Sequence, residues 1–280
     1  MTVVVDVEGR HLKLTNLDKP LYPDGFTKGQ VIDYYSRIAP VLLPHLRDRT
    51  LTRLRCPDGV DGESFFEKNT PRGTPEWVRT ERVGGVTYPV AEGLADLVWL
   101  ANLAALELHT HQWRVGSDVP DQLVVDLDPG PPASVVECCQ VALLVREHLV
   151  AVGLEPVVKT SGSKGLQVYA RVTDMDALTD TSEFAKVLAE ELEKAHPELV
   201  VSRMTKAVRP GKVFLDWSQN NGAKTTVSPY SLRARARPTV STPVTWDEVA
   251  ECVAPEDLVF TTDDVLFRVE EHGDLFAPLL

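Results

Sequence analysis

Apolar and polar residues alternate from residue 3 to residue 14, the period-2 pattern of a strand with one buried face. Turn formers then crowd Leu17 to Phe26, "LDKPLYPDGF". In "TKGQVIDYYSRIAPVLLPHL" the period lengthens: Val31, Tyr34, Tyr35, Ile38, Leu42 and Leu46 fall at helical spacing, and Thr27 with Gln30 fits a capping box. Pro40 and Pro44 are expected to kink or end that helix. The stretch Arg55 to Pro75 is turn-rich and holds a Phe65-Phe66 pair, and residues 92 to 106 read as a mostly buried helix.

The central third predicts a strand-turn-helix unit. Strand Leu123 to Leu127 stops at Pro129-Gly130, and a helix from Ser134 to Val152 ends at Gly153. "EPVVKT" and "LQVYARV" read as strands joined by the loop "SGSKG", residues 181 to 195 as an acidic-faced helix, and "KVFLDWS" as a further strand. In "YSLRARARP" the alternation of Arg233, Arg235 and Arg237 predicts an extended strand with three guanidinium groups on one face. Strands and helices are mixed rather than strictly alternating, and no linker or repeat divides the chain. The expected class is α+β, one domain of two lobes.

Composition permits a sizeable core, with 43% hydrophobic residues in 280. No run approaches the roughly 20 apolar residues of a membrane span, and the N-terminus has neither the basic start nor the apolar block of a signal peptide. A cytoplasmic location is expected. Cys56, Cys138, Cys139 and Cys252 make no zinc spacing or disulfide framework and are expected as reduced core residues. The net charge of −12 argues by itself against a polyanionic partner. Its distribution changes the picture: residues 201 to 240 hold eight bases and one acid, Asp216, whereas residues 241 to 280 hold ten acids and only Arg268 as a base.

Two acids finish the apolar strand "QLVVDLDPG". Side chains two apart on a strand share a face, so Asp126 and Asp128 set two carboxylates about 7 Å apart along the backbone. Like charges so placed resist joint ionisation unless a cation lies between them. Asp216 ends a similar apolar run, "KVFLD", among the eight bases. Three strand-end carboxylates beside cations outline a two-metal site for phosphoryl or nucleotidyl transfer; a solvated turn capped by Asp128 is the bland alternative. In "KTSGSKG", Gly162 and Gly165 free backbone N–H groups to face an anion, Ser161 and Ser163 add hydroxyls and Lys164 adds charge, although a hairpin turn has the same composition.

Taken in order, "LTNLDKPLYP", "DLDPG", "SGSKGLQVY" and "KVFLDWSQNNGAKTTVSPYSLRARARPTVSTPVTWDE" resemble the polymerase domain of bacterial ligase D, of the archaeo-eukaryotic primase superfamily. The resemblance runs from about Leu12 to the acidic C-terminal stretch and implies a two-lobed primase-type core. It divides the domain into an N-terminal lobe (1–115), a catalytic lobe (116–240) and an acidic C-terminal segment (241–280). It implies template-directed nucleotidyl transfer that fills short gaps at DNA breaks in non-homologous end joining, with a preference for ribonucleotides.

The same resemblance assigns residues. Asp126, Asp128 and Asp216 would hold two divalent ions, Mn2+ or Mg2+. Ser161, Gly162, Lys164, Gln167, Arg209, Arg233 and His109 would serve the incoming nucleotide, NTP or dNTP. Asn16, Lys19 and Lys28 would bind DNA at the downstream 5′-phosphate, Arg55 would also bind DNA, and Phe65 and Phe66 would stack on the template. Ku and a separate DNA ligase would be partners, and the location nucleoid-associated. Two features depart from the family: Gln167 stands where a histidine is usual, and the Lys19 to Lys28 spacing is a residue short. The Gln167 departure keeps open a non-catalytic module that captures DNA ends. A D-x-D glycosyltransferase also accommodates two acids and a metal, but leaves Asp216 and the basic segment unexplained.

Overall fold

A computed structural model describes residues 2–117, 119–172 and 180–280 of the chain. The alternating N-terminus is a hairpin rather than one strand. Strands β1 (Thr2–Val7) and β2 (Arg10–Thr15) pair antiparallel, with Val7 opposite Arg10. Glu8 and Gly9 between them both have positive φ, 52° and 73°, the geometry of a two-residue turn whose twist matches its strands. Helix α1 (Lys28–Leu46) starts at the expected capping box: Thr27 Oγ1 accepts from Gln30 N at 3.3 Å and Gln30 Oε1 from Thr27 N at 2.8 Å. It runs through both prolines. Pro40 faces solvent, where a missing hydrogen bond opens to water, while Ile38, Leu42 and Leu46 on the inner face are fully buried and hold the helix together.

Strands β3 (Leu51–Arg55) and β4 (Phe65–Glu67), the hairpin β5 (Thr80–Val83) with β6 (Val86–Pro89), helix α2 (Leu94–Asn102) and strand β7 (Ala105–Thr110) complete the first lobe. The helix expected to reach residue 106 thus stops at Asn102. Ala104 adopts φ 56° and its carbonyl accepts from Cys56 N, which turns the chain into β7.

The second lobe is built on β8 (Gln122–Pro129), α3 (Val135–Ala151), β9 (Pro156–Thr160), β10 (Leu166–Arg171), α4 (Thr181–Ala195), β11 (Val200–Val201) and β12 (Val213–Asp216). Strands β13 (Thr226–Val227) and β14 (Pro243–Val244) and helices α5 (Trp246–Glu251) and α6 (Thr262–His272) follow. Among the described residues the strands form a six-stranded sheet of order β11-β12-β8-β10-β9-β14, a four-stranded sheet of order β13-β7-β3-β4, and the two hairpins. Only the β11–β12 pair is parallel within these sheets. The architecture is α+β.

Two large apolar cores result, beside a smaller cluster of Val124, Val157, Tyr169, Phe276 and Leu279. One gathers Val31, Ile38, Leu42, Leu51, Leu97 and Leu106; the other packs Cys138, Val141 and Val145 of α3 and Leu188 and Leu192 of α4 against Leu123, Val125, Leu127 and Val168 of the large sheet. The acidic C-terminal stretch belongs to both: Val265 and Leu266 enter the first core, Val249 and Leu258 the second, and β14 pairs with β9. The four cysteines are free and buried, as expected. Among the described residues no helix is long and apolar enough to cross a membrane.

Candidate active site

The sheet register places the acids. Strand β8 lies between β10 and β12, so Asp126 has Gln167 opposite it on one side and Asp216 on the other. Asp126 is buried, and Gln167 Nε2 donates to its Oδ1 at 2.8 Å. Burial, then the charges of Asp128 and Asp216, push the Asp126 carboxyl up to about 7 against the opposing Gln167 bond. Asp128, open to solvent on one side, is raised as well, by the protein around it and by Asp216, with Arg209 opposing. Asp216 accepts from Ser218 N at 3.1 Å, from the Ser218 hydroxyl and from Gln219 Nε2 at 2.9 Å, with Lys224 Nζ 3.9 Å away.

These bonds turn Asp216 onto its own following turn. Among the described residues no three His, Cys, Asp or Glu side chains converge closely enough to hold an ion as they stand. The donor set nevertheless fits one. Three carboxylates are hard oxygen ligands of the kind Mg2+ and Mn2+ take, and the mutual repulsion that raises Asp126 and Asp128 is what a bound cation would relieve.

Asp126 and Asp128, but not Asp216, line a cleft of about 420 Å³ together with His109, Ser161, Ser163, Lys164, Gln167, Gln219, Thr226, Arg233 and Arg235. The loop between β9 and β10 forms one wall. Ser161 Oγ accepts from Ser163 N at 3.2 Å and Gly165 N at 3.1 Å, so this hydroxyl shapes the loop from within. Gly162 has φ 66°, and a Cβ there would meet Arg233 Cγ at 2.6 Å and Val240 O at 2.7 Å. At Gly165 a Cβ would fall 2.0 Å from Leu127 O. Both glycines are needed for close approach, one to the arginine and one to the strand bearing the acids. Behind the same loop lies a second, mainly apolar hollow of about 290 Å³, bordered by Pro131, Val135, Leu258 and Phe260.

The stretch "YSLRARARP" is not an extended strand. Arg233 N bonds Thr239 O, Arg235 N bonds Arg233 O, and Thr239 N bonds Arg237 O, closing a tight loop that includes Pro238. The three arginines therefore part: Arg233 and Arg235 line the cleft, and Arg237 faces a different cavity with Asp24 and Asp33. Arg209 is not among the cleft-lining residues. Its guanidinium stacks 3.5 Å from the centre of the Phe214 ring, and Nη2 donates to Met204 O at 2.7 Å.

Asn16, Lys19, Lys28 and Arg55 gather away from the acids. Lys28 N bonds Lys19 O at 2.9 Å, Lys19 N bonds Asn16 O at 3.0 Å, and Asn16 is exposed with φ 54°. Lys19 Nζ pairs with Asp58 at 2.6 Å, and Lys28 Nζ donates to Thr15 Oγ1 at 3.2 Å. Burial, then the neighbouring charges of Lys19 and Arg55, lower Lys28 to about 8. Three cations close enough to repel one another meet here, a repulsion that a bound anion would relieve. Arg55 also bonds Glu67 and lies 5.5 Å over the Phe65 ring. Phe66 is 61% exposed, and its ring meets that of His109 edge-on at 5.4 Å, which ties this aromatic pair to the cleft.

A family model described as "LigD, primase-polymerase domain" matches residues 27–276. The chain belongs to the LigD primase-polymerase domain family. It is therefore a nucleotidyltransferase of the primase-polymerase type. It is 46% identical over 276 residues to the multifunctional non-homologous end joining protein LigD of Mycolicibacterium smegmatis, covering 96% of this chain and 36% of that protein. With the bifunctional non-homologous end joining protein LigD of Bacillus subtilis it shares 34% identity, covering 94% of this chain and 43% of that one. The chain thus spans less than half the length of these relatives. Its fold matches the solved polymerase domain of Mycobacterium tuberculosis ligase D, a complex with DNA, with a TM-score of 0.88 and 42% identity over 96% of this chain and 97% of that one.

In this LigD-type domain two charged residues beside the cleft escaped the sequence reading. Glu107 is buried on β7 and accepts from His109 Nε2 at 2.8 Å, Arg233 Nε at 3.0 Å and Ala234 N at 2.9 Å. Burial raises its carboxyl, but the His109 bond and the Arg233 charge outweigh that and hold it at about 2. Burial lowers His109. Glu107 lies within "LELHTH", two residues before His109 and so on the same strand face; that spacing was the available signal. The second residue, Lys159, is fully buried on β9.

Proposed function

We propose that the domain extends a DNA primer by template-directed nucleotidyl transfer, filling short gaps at breaks during non-homologous end joining and favouring ribonucleotides. The observation that carries this reading is the antiparallel register that sets Asp216 opposite Asp126, with Asp126 and Asp128 lining a cleft walled by the glycine loop. Asp126, Asp128 and Asp216 would hold two divalent ions, Mn2+ or Mg2+, which when bound supply activation of the primer 3′-hydroxyl and neutralisation of the triphosphate.

The chain's own groups do the rest. Lys164 and Arg233 offer charge to the triphosphate, with Ser161 and Gly162 shaping the wall against which it rests and Arg209 facing Asp128 from the Phe214 side. His109, steadied by Glu107, faces the nucleotide from the opposite lobe. Lys19, Lys28, Asn16 and Arg55 take the downstream 5′-phosphate, and Phe65 and Phe66 stack on template bases. Ku and a DNA ligase activity would act on the same break, and the DNA-bound protein would lie at the nucleoid.

Primer extension on a gapped duplex tests this. Asp126→Ala and Asp128→Ala each abolish extension with Mn2+ and nucleotide while leaving binding to a 5′-phosphorylated end within about 2-fold. Undiminished extension refutes the assignment, and a wild-type protein that binds ends but never lengthens a primer is the non-catalytic module instead.

A further inference from the structure

Three side chains stand in a row across three strands: Lys159 on β9, Gln167 opposite it on β10, and Asp126 opposite Gln167 on β8. All three are buried. Lys159 Nζ donates to Gln167 Oε1 at 2.5 Å and to Ser241 Oγ at 2.7 Å, and it lies 5.6 Å from the centre of the Tyr169 ring. Ser241 in turn donates to Thr160 O at 2.8 Å, which leaves its oxygen lone pairs for the lysine.

An ionised carboxylate can only accept, and a lysine amine has protons to give with or without its charge. The Gln167 amide must therefore turn its oxygen to Lys159, and its NH2 group must point the other way, at Asp126 Oδ1, 2.8 Å distant. The amide has lost its freedom to flip. One oxygen of Asp126 is thereby occupied and its carboxylate plane held, with the second oxygen left for the cleft. The row also explains a costly feature. Among the described residues Lys159 touches no carboxylate; burial, then the charge of Arg233, pushes it well below the usual lysine range, and the acid that opposes them is Asp126, beyond the amide.

We propose that Lys159 and Gln167 are positioning residues that lock Asp126 Oδ1 and present its other oxygen to a divalent cation, rather than groups that bind the triphosphate. The proposal rests on the reading of Asp126 as a cation-binding carboxylate. Gln167 is the member that departs from the family's usual histidine, and the row shows what a non-titrating amide achieves there: it donates to the acid whatever the pH.

The test measures Mn2+ binding to the full chain by the electron paramagnetic resonance of free Mn2+, alongside primer extension at varied Mn2+ and nucleotide. Gln167→Leu and Lys159→Met weaken Mn2+ binding by about 10- to 100-fold, the usual effect of removing an outer partner of a metal ligand. At saturating Mn2+ the nucleotide KM stays within about 2-fold of wild type. Gln167→His, whose neutral ring offers one N–H and one bare nitrogen, restores Mn2+ binding to within a few-fold. Should Lys159→Met fail to fold, Gln167→Leu decides alone. The proposal is overturned if Gln167→Leu binds Mn2+ like wild type, or if its defect falls on nucleotide KM and spares Mn2+. A wild-type protein that binds Mn2+ no better than Asp126→Asn removes the underlying reading, and with it this proposal.

Discussion

Lys28 shows how one residue's surroundings can set a measurable property of the whole site. Burial and two neighbouring cations bring it to about 8, so it loses its proton in a range where an ordinary lysine keeps it. The charged form attracts phosphate, and a terminal phosphate is fully ionised well below that range. Preference for a 5′-phosphorylated over a 5′-hydroxyl end is therefore constant near neutrality and falls as pH rises above about 8. Lys28→Arg, which stays charged, keeps the preference flat to about pH 10. Fluorescence anisotropy with the two DNA ends across this range checks it, and a wild-type preference that ignores pH removes Lys28 from the phosphate seat. At the same scale, Glu107 marks where reading one residue at a time stops. It accepts from Arg233, 126 positions away, and only folding makes that pair.

At the level of elements, Gly165 couples the loop to the strand bearing the acids. A methyl group there would sit 2.0 Å from Leu127 O, between Asp126 and Asp128, and neither backbone can yield without breaking the β8–β10 ladder. Gly165→Ala should destabilise the domain by about 1–3 kcal/mol or more, seen as a lower midpoint in urea, and should cost more activity than that loss explains. An unchanged midpoint would mean the loop moves freely against β8. Which elements were legible follows from where their causes lie. Helices α1, α3 and α4 carry local caps at Thr27, Ser134 and Asp180 together with a 3.6-residue period, so sequence alone locates them. The three acids were legible for a similar reason, because each ends an apolar run. The hairpin turn at Glu8-Gly9 was not, since glutamate carries no signal for a positive φ. The Arg233–Arg237 segment misled because its side chains alternate like a strand while its backbone bonds close a loop. Pro40 does not end the helix, because a rule about helix interiors ignores which face a proline occupies.

On the proposed function, the whole molecule binds a polyanion while carrying a net charge of −12. It can do so only where cations are concentrated, at the Lys19, Lys28 and Arg55 seat and along the basic residues 201 to 240. Affinity for a phosphorylated end should accordingly drop steeply with salt. Replacing both Lys19 and Lys28 with alanine should lower the slope of log affinity against log salt by about 1 for each phosphate that is no longer neutralised. Titrations at several salt concentrations measure this, and an unaltered slope would place the phosphate elsewhere.

The remaining charge is not a loose fringe. Residues 241 to 280 carry ten acids, and β14 stitches them to the sheet edge while Val265 and Leu266 pin α6 into the other lobe. A negative field anchored in this way keeps its bearing as the protein tumbles, with a reach of about 8 Å in physiological salt. On the proposed function, a duplex drifting towards these acids would be deflected before it touched the surface, and the angle at which a broken end arrives would be partly chosen in solution, ahead of any hydrogen bond.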